Sequence, residues 1–152
     1  MARRAGRTLG RPLAFWDTSA LVPLCVRQSI TPRAMTLYGA YGLVVWWSTS
    51  VEMASAFARL VRMNQLTPSD LARARQLATT LADAWSVILP SEALRSKAAQ
   101  LVDRFDLRAA DSLQLAAALV WCQDVPQGRV FLTTDQKLRE AALLCGFDAR
   151  QI

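Results

Sequence analysis

Four short apolar runs, LAFW (13–16), LVVWW (43–47), WSVIL (85–89) and VFLT (130–133), are separated by longer stretches with helical spacing. Runs of four or five bulky residues are too short for helices and suit buried strands. Near-continuous hydrophobicity is what parallel strands covered on both faces require. Strand–helix alternation of this kind specifies one architecture, an α/β fold with helices packed on a central, mostly parallel sheet. Three of the runs lead through a short polar step into a helical stretch with an acid at or near its start: Asp17, Glu52 and Asp135. In open parallel sheets those junctions share one edge, where ligands bind.

The stretches between the runs read as helices with recognisable ends. After Asp17 the spacing predicts a short helix over 19–26, interrupted near Pro23, and Thr31 with Pro32 opens a second one running to residue 41. Residues 48–64, STSVEMASAFARLVRMN, are helical by the spacing of Val51, Ala54, Phe57, Ala58 and Val61, and Thr49 and Glu52 stand in the relation of a capping box. Residues 68–84 place Leu71, Ala74, Leu77, Ala78 and Leu81 on one face, and residues 91–105 form a further helix. The stretch 107–123, LRAADSLQLAAALVWCQ, is the least polar, and Asp111 is its anomaly. A carboxylate beside so apolar a helix is costly unless compensated, and the helix N-terminus offers only a partial charge. Gly146 closes the last helix, and residues 147–152 begin an edge strand.

A chain of 152 residues fits one domain with one sizeable core. The apolar share of 53% suggests helices buried on more than one face or a surface reserved for a partner. No apolar run approaches the roughly 20 residues of a membrane span, so no membrane association is expected. The net charge of +6 resembles a nucleic-acid signature, but Arg3, Arg4, Arg7 and Arg11 lie in the first twelve residues, which contain no acid; the rest carries 14 basic against 12 acidic residues. Residues 1–12 therefore read as a disordered basic arm or an over-long start, with an arm that touches RNA as the alternative, and 13–152 as the folded domain. The arm resembles neither a secretory signal nor a full transit peptide. Cys25, Cys122 and Cys145 are odd in number and set in apolar surroundings, which points to buried thiols in a reducing compartment, the cytoplasm.

Taken singly, each acid has a plain explanation, since Asp is a common N-cap and Glu a member of capping boxes. Taken together, Asp17, Glu52, Asp111 and Asp135 all start helices, and convergence of four carboxylates on one rim is what a divalent metal requires. Without a cation such a group would repel itself and in part protonate. Mg²⁺ or Mn²⁺ suits all-oxygen ligands, whereas zinc is disfavoured because the chain has no histidine and its cysteines lack ligand spacing. Lacking an imidazole base, a hydrolase would make its nucleophile from water activated by the metal, and phosphodiester hydrolysis suits such a site.

In this order, WDTSALV (16–22), TSVEMASAF (49–57), LRAADSLQLAAAL (107–119) and FLTTDQKLREAA (131–142) resemble the four acidic motifs of the PIN-domain ribonucleases, most closely VapC-type toxins of type II toxin–antitoxin pairs. The resemblance covers about residues 13–149. It implies a three-layer α/β/α sandwich, Mg²⁺- or Mn²⁺-dependent endonucleolytic cleavage of structured RNA, a homodimer, and a cognate antitoxin whose C-terminal segment reaches the acidic site. Asp17, Glu52, Asp111 and Asp135 match the acidic quartet position by position, and Ser19 and Thr133 match the supporting hydroxyls. Two features depart from the pattern: the basic arm, and Gln136 with Lys137 where some members carry a further acid.

Other readings remain open on sequence grounds. A haloacid-dehalogenase-type phosphatase also begins with an apolar strand and Asp, but it needs a second Asp where this chain has Ser19. A solitary RNA-processing nuclease, or a PIN fold that binds RNA or protein without cutting, stays compatible with the motifs. Arg27, Arg33, Arg108, Lys137 and Arg139 are candidate phosphate contacts or plain surface charge. Trp46 and Trp47 suit base stacking less than core packing, which is expected of at least one of them.

Overall fold

Alternate residues of a strand point to opposite faces, so a strand that is apolar throughout demands cover on both sides. The computed structural model describes residues 10–152; residues 1–9, most of the basic arm expected over 1–12, lie outside them. The elements in order are β1 (Leu13–Trp16), α1 (Thr18–Cys25), α2 (Thr31–Ala40), β2 (Gly42–Trp46), α3 (Thr49–Arg62), α4 (Pro68–Ala84), β3 (Ser86–Ile88), α5 (Glu92–Phe105), α6 (Ala109–Trp121), β4 (Val130–Thr133), α7 (Gln136–Cys145) and β5 (Asp148–Gln151). All five strands are parallel, in the order β3-β2-β1-β4-β5.

Two cores flank this sheet, where the chain length suggested one, because strands apolar on both faces need cover on each side. Phe15, Val44, Trp46, Phe131 and Ala149 face α5, α6 and α7. Ala14, Trp16, Leu43, Val45, Val130 and Leu132 face α1 to α4. The result is the three-layer α/β/α sandwich expected from the sequence. Phe15 stacks on Phe131 with ring centroids 5.4 Å apart, and Phe147 meets the same ring at 5.6 Å. Burial of each such side chain contributes about 1.5–3 kcal/mol.

Local expectations fail at two places. The helix is not interrupted near Pro23: α1 runs through it to Cys25. Pro23 is the sixth residue of eight, so only the bond to the Ser19 carbonyl is forfeited, and the Val26 N–H closes the helix on Val22 O at 2.9 Å. Thr49 and Glu52 form no capping box. Ser48 is the N-cap of α3 with no side-chain bond to the backbone, and Glu52 accepts from the Ser48 hydroxyl and from Thr18 and Gln114 on other helices. The box is built instead at α4, where the Asp70 N–H donates to Thr67 Oγ1 at 3.2 Å and the Thr67 N–H donates to Asp70 Oδ2 at 3.1 Å. Of the adjacent tryptophans, Trp46 is buried and Trp47 is 58% exposed. Cys25 and Cys122 are buried, and Cys145 is half-buried.

Because β1 pairs with β2 on one side and β4 on the other, strand order reverses at β1. The crevice beyond its carboxyl end is the switch point of the sheet.

Candidate active site

Asp17 leaves β1 at that crevice. Its N–H prolongs the ladder by donating to Leu132 O at 3.0 Å, and its side chain caps α1 by accepting from the Ser19 N–H at 3.3 Å. The hydroxyls of Ser19 and Thr133 donate to the same oxygen, Oδ2, at 2.5 and 2.9 Å. Among the described residues no donor reaches Oδ1, so one oxygen carries the structural bonds and the other is left for a ligand. The side chain is only 5% exposed. Burial pushes its carboxyl up to about 6, against the lowering effect of the Ser19 and Thr133 hydrogen bonds; repulsion from Glu52 and Asp111 adds to the rise.

Glu52, in the first turn of α3, is held from three sides. Its Oε2 accepts from Thr18 Oγ1 and from Gln114 Nε2, both at 3.0 Å, and its Oε1 accepts from Ser48 Oγ at 2.5 Å. Gln114, 1% exposed in α6, also donates to Thr18 Oγ1 at 2.9 Å. One buried amide thus ties α1, α3 and α6 together behind the carboxylate. Among the described residues the Gln114 Oε1 has no donor.

Asp111 and Asp135 complete the rim. Asp135 caps α7, accepting from the Leu138 N–H at 2.8 Å through Oδ1 alone, and its own N–H donates to Thr133 Oγ1 at 3.0 Å. The Thr134 N–H donates to Ser19 Oγ at 2.9 Å, so the two hydroxyls that brace Asp17 also shape the turn carrying Asp135. Asp111 lies in the first turn of α6 with no donor on either oxygen among the described residues. Partial burial raises its carboxyl, Asp135 and Glu52 raise it further, and Arg108 and Lys137 oppose them.

All four predicted acids line one open cavity of about 410 Å³, together with Ser19, Arg59 and Arg62. They share the cavity without closing on a point: among the described residues, no three acid or thiol side chains stand near enough to hold one ion between them. The donors still fit a hard cation. Among the described residues Asp17 Oδ1, Asp135 Oδ2 and both oxygens of Asp111 are unpaired, no imidazole or thiolate lines the cavity, and Asp17 is buried at the cost of an elevated pKa. Mg²⁺ commonly binds through one or two carboxylates and keeps several waters, which suits acids spaced this way.

None of the five cations proposed as phosphate contacts lines this cavity. Arg33 and Arg139 donate to the β5 carbonyls of Gln151 and Ala149, and Arg27 lines a neighbouring cavity. Arg108 and Lys137 act on Asp111, with Lys137 also paired to Asp106 at 2.7 Å. The residues missed from sequence are Thr18, Ser48 and Gln114, which hold Glu52, and Arg59 and Arg62. A glutamine inside the least polar helix, and arginines seven and ten residues after Glu52, are the signals that were there to read.

A parallel α/β sandwich with carboxylates gathered beyond its central strand defines a class of acidic-site folds, and comparison with known proteins narrows it. No family model and no curated protein matches the sequence. Among solved structures, a toxin–antitoxin complex from Klebsiella pneumoniae is similar with a TM-score of 0.57 at 17% identity, over 82% of this chain and 88% of that one. PAE2754 from Pyrobaculum aerophilum is similar with a TM-score of 0.63 at 18% identity, over 91% of this chain and 89% of that one. At such identities the likeness is one of fold, and the fold is the PIN-like sandwich that the four motifs implied. No described helix is long and apolar enough to cross a membrane.

Proposed function

We propose that residues 13–152 form a metal-dependent endoribonuclease, the toxin of a toxin–antitoxin pair. The observation that carries this reading is the meeting of Asp17, Glu52, Asp111 and Asp135, from four separate helix starts, in one cavity at the sheet's switch point. Asp17 Oδ1, Asp135 Oδ2 and the two oxygens of Asp111 would hold Mg²⁺ or Mn²⁺ through one or two carboxylates at a time, water supplying the remaining ligands, while both oxygens of Glu52 are taken up by Ser48, Thr18 and Gln114. When bound, the metal neutralises charge on the phosphate oxygens and lowers the pKa of water. Asp111, free on both oxygens among the described residues, is the carboxylate that would take the proton of the attacking water. Ser19 and Thr133 keep Asp17 aimed into the cavity, and the Gln114–Thr18 pair prevents Glu52 from turning away.

The K. pneumoniae complex supports an antitoxin partner. RNA as substrate, a homodimer and a cytoplasmic setting complete the reading through the resemblance of the four motifs. The test is cleavage of RNA by purified protein. With Mg²⁺ or Mn²⁺ the wild type cuts, while Asp17→Asn and Asp111→Asn lose roughly 10²- to 10⁴-fold in rate and keep their circular dichroism spectrum. Undiminished cleavage by both variants in EDTA overturns the reading.

A further inference from the structure

The helix that supplies Glu52 also brings two cations into the cavity. Counted from Glu52, residues 55, 56, 59 and 62 fall at i+3, i+4, i+7 and i+10, one face of α3, and all of them line the cavity. In chain order this face reads Glu52, Ser55, Ala56, Arg59, Arg62. The rise of a helix puts Arg59 about 10 Å and Arg62 about 15 Å along the axis from Glu52. Ser55 and Ala56 are small, so the floor between the acidic and the basic end is open.

Both arginines are exposed, and among the described residues neither has an ion-pair or hydrogen-bond partner. Arg95, Lys97, Lys137 and Arg150, by contrast, each pair with an acid. Two uncommitted guanidiniums at one end of a cavity whose other end is acidic ask for a ligand that carries negative charge at regular intervals. Arg59 and Arg62 stand one turn apart on the same face, about 4.5 Å along the axis, so two neighbouring phosphates of one strand can be met by their long side chains. Guanidinium binds phosphate in a bidentate fork. An acidic peptide offers carboxylates on flexible side chains rather than charge built into its backbone.

We propose that Arg59 and Arg62 hold successive phosphates of a single-stranded RNA segment beside the bond to be cut, so that α3 sets the direction in which the strand crosses the acids. The assignment rests on the nuclease reading for its purpose, but not for its test. Fluorescence anisotropy with a labelled single-stranded RNA in EDTA reads binding without cleavage. Arg59→Gln and Arg62→Gln each weaken binding several-fold, and each reduces the slope of log affinity against log salt by about 0.7. Arg95→Gln, on α5 in the opposite layer, leaves affinity and slope unchanged. With Mn²⁺ present, the α3 variants raise KM more than they lower kcat. Wild-type affinity and slope in both α3 variants overturn the proposal, as does an equal loss in Arg95→Gln, or retained RNA binding with lost binding of an acidic peptide. A protein that binds RNA through these arginines yet cuts none upholds the strand path and fails the nuclease reading alone.

Discussion

Asp17 divides its duties between two oxygens, and that division has a cost that titration exposes. Oδ2 takes the helix cap and both hydroxyls, while Oδ1 stays bare inside a side chain that is almost fully buried. A carboxyl raised from 3.8 to about 6 binds its proton more tightly in the folded than in the unfolded chain. Its contribution to stability is therefore full below about pH 4 and lost as pH rises through about 6. The shift corresponds to roughly 3 kcal/mol. Metal-free protein should thus be more stable at pH 5 than at pH 7, and Asp17→Asn, whose amide oxygen can still accept from Ser19 and Thr133, should remove most of that difference while raising the melting point at pH 7. Thermal melts in EDTA across that range check it; an equal pH dependence in both proteins rules it out. The acids themselves were legible in the sequence because a strand, a polar step and a helix start are adjacent along the chain. Their holders were not, because Gln114 meets Glu52 across 62 residues and no local spacing records such a bond.

Elements were read best where hydrophobic pattern and end signals agree locally. Thr49–Glu52 and Thr67–Asp70 carry the same kind of capping signal, yet only the second forms the box. At α4 the cap falls on Thr67 and puts Asp70 at the third helical position, whereas α3 is capped one residue before Thr49, at Ser48, so Glu52 lies past that position and accepts from the hydroxyls of Ser48 and Thr18 and the amide of Gln114. Pro23 misled for a related reason: a proline signals a break, but in so short a helix it forfeits a single bond. The three-helix tie through Gln114 yields a prediction at this scale. Gln114→Leu keeps the bulk of the side chain and α6 intact but frees Glu52 on one side, so RNA cleavage should fall roughly tenfold to a hundredfold with the fold retained. Gln114→Glu should fare worse, since it buries a further carboxylate against Glu52. Single-turnover rates with circular dichroism distinguish a lost constraint from a lost fold; an unchanged rate in Gln114→Leu would show the tie to be structural only.

For the molecule as a whole, parallel strands were evident from runs apolar on both faces, but that same property hides their order, since a strand buried on both sides gives no sign of its neighbours. The order β3-β2-β1-β4-β5 emerges only from pairing. The metal reading also belongs to this scale. A divalent ion that binds only the native chain stabilises it by about 2.7 kcal/mol at a hundred times its Kd, a rise of roughly 5–10 °C for a domain of this size. Differential scanning calorimetry with Mg²⁺ at pH 7 should show that rise in the wild type and not in Asp17→Asn; an unchanged wild-type midpoint counts against a preformed site. The pairing of β1 with β4 joins Ala14 to Val130 and sets Thr133 against Asp17. A ribosome extends a chain by about 5–20 residues per second, so roughly 6 to 24 seconds separate the emergence of these two strands. During that interval the nascent chain has Asp17 and Glu52 but lacks Thr133 and Asp135. The acidic cavity is therefore incomplete through most of the chain's synthesis and is assembled only when the last strands come through.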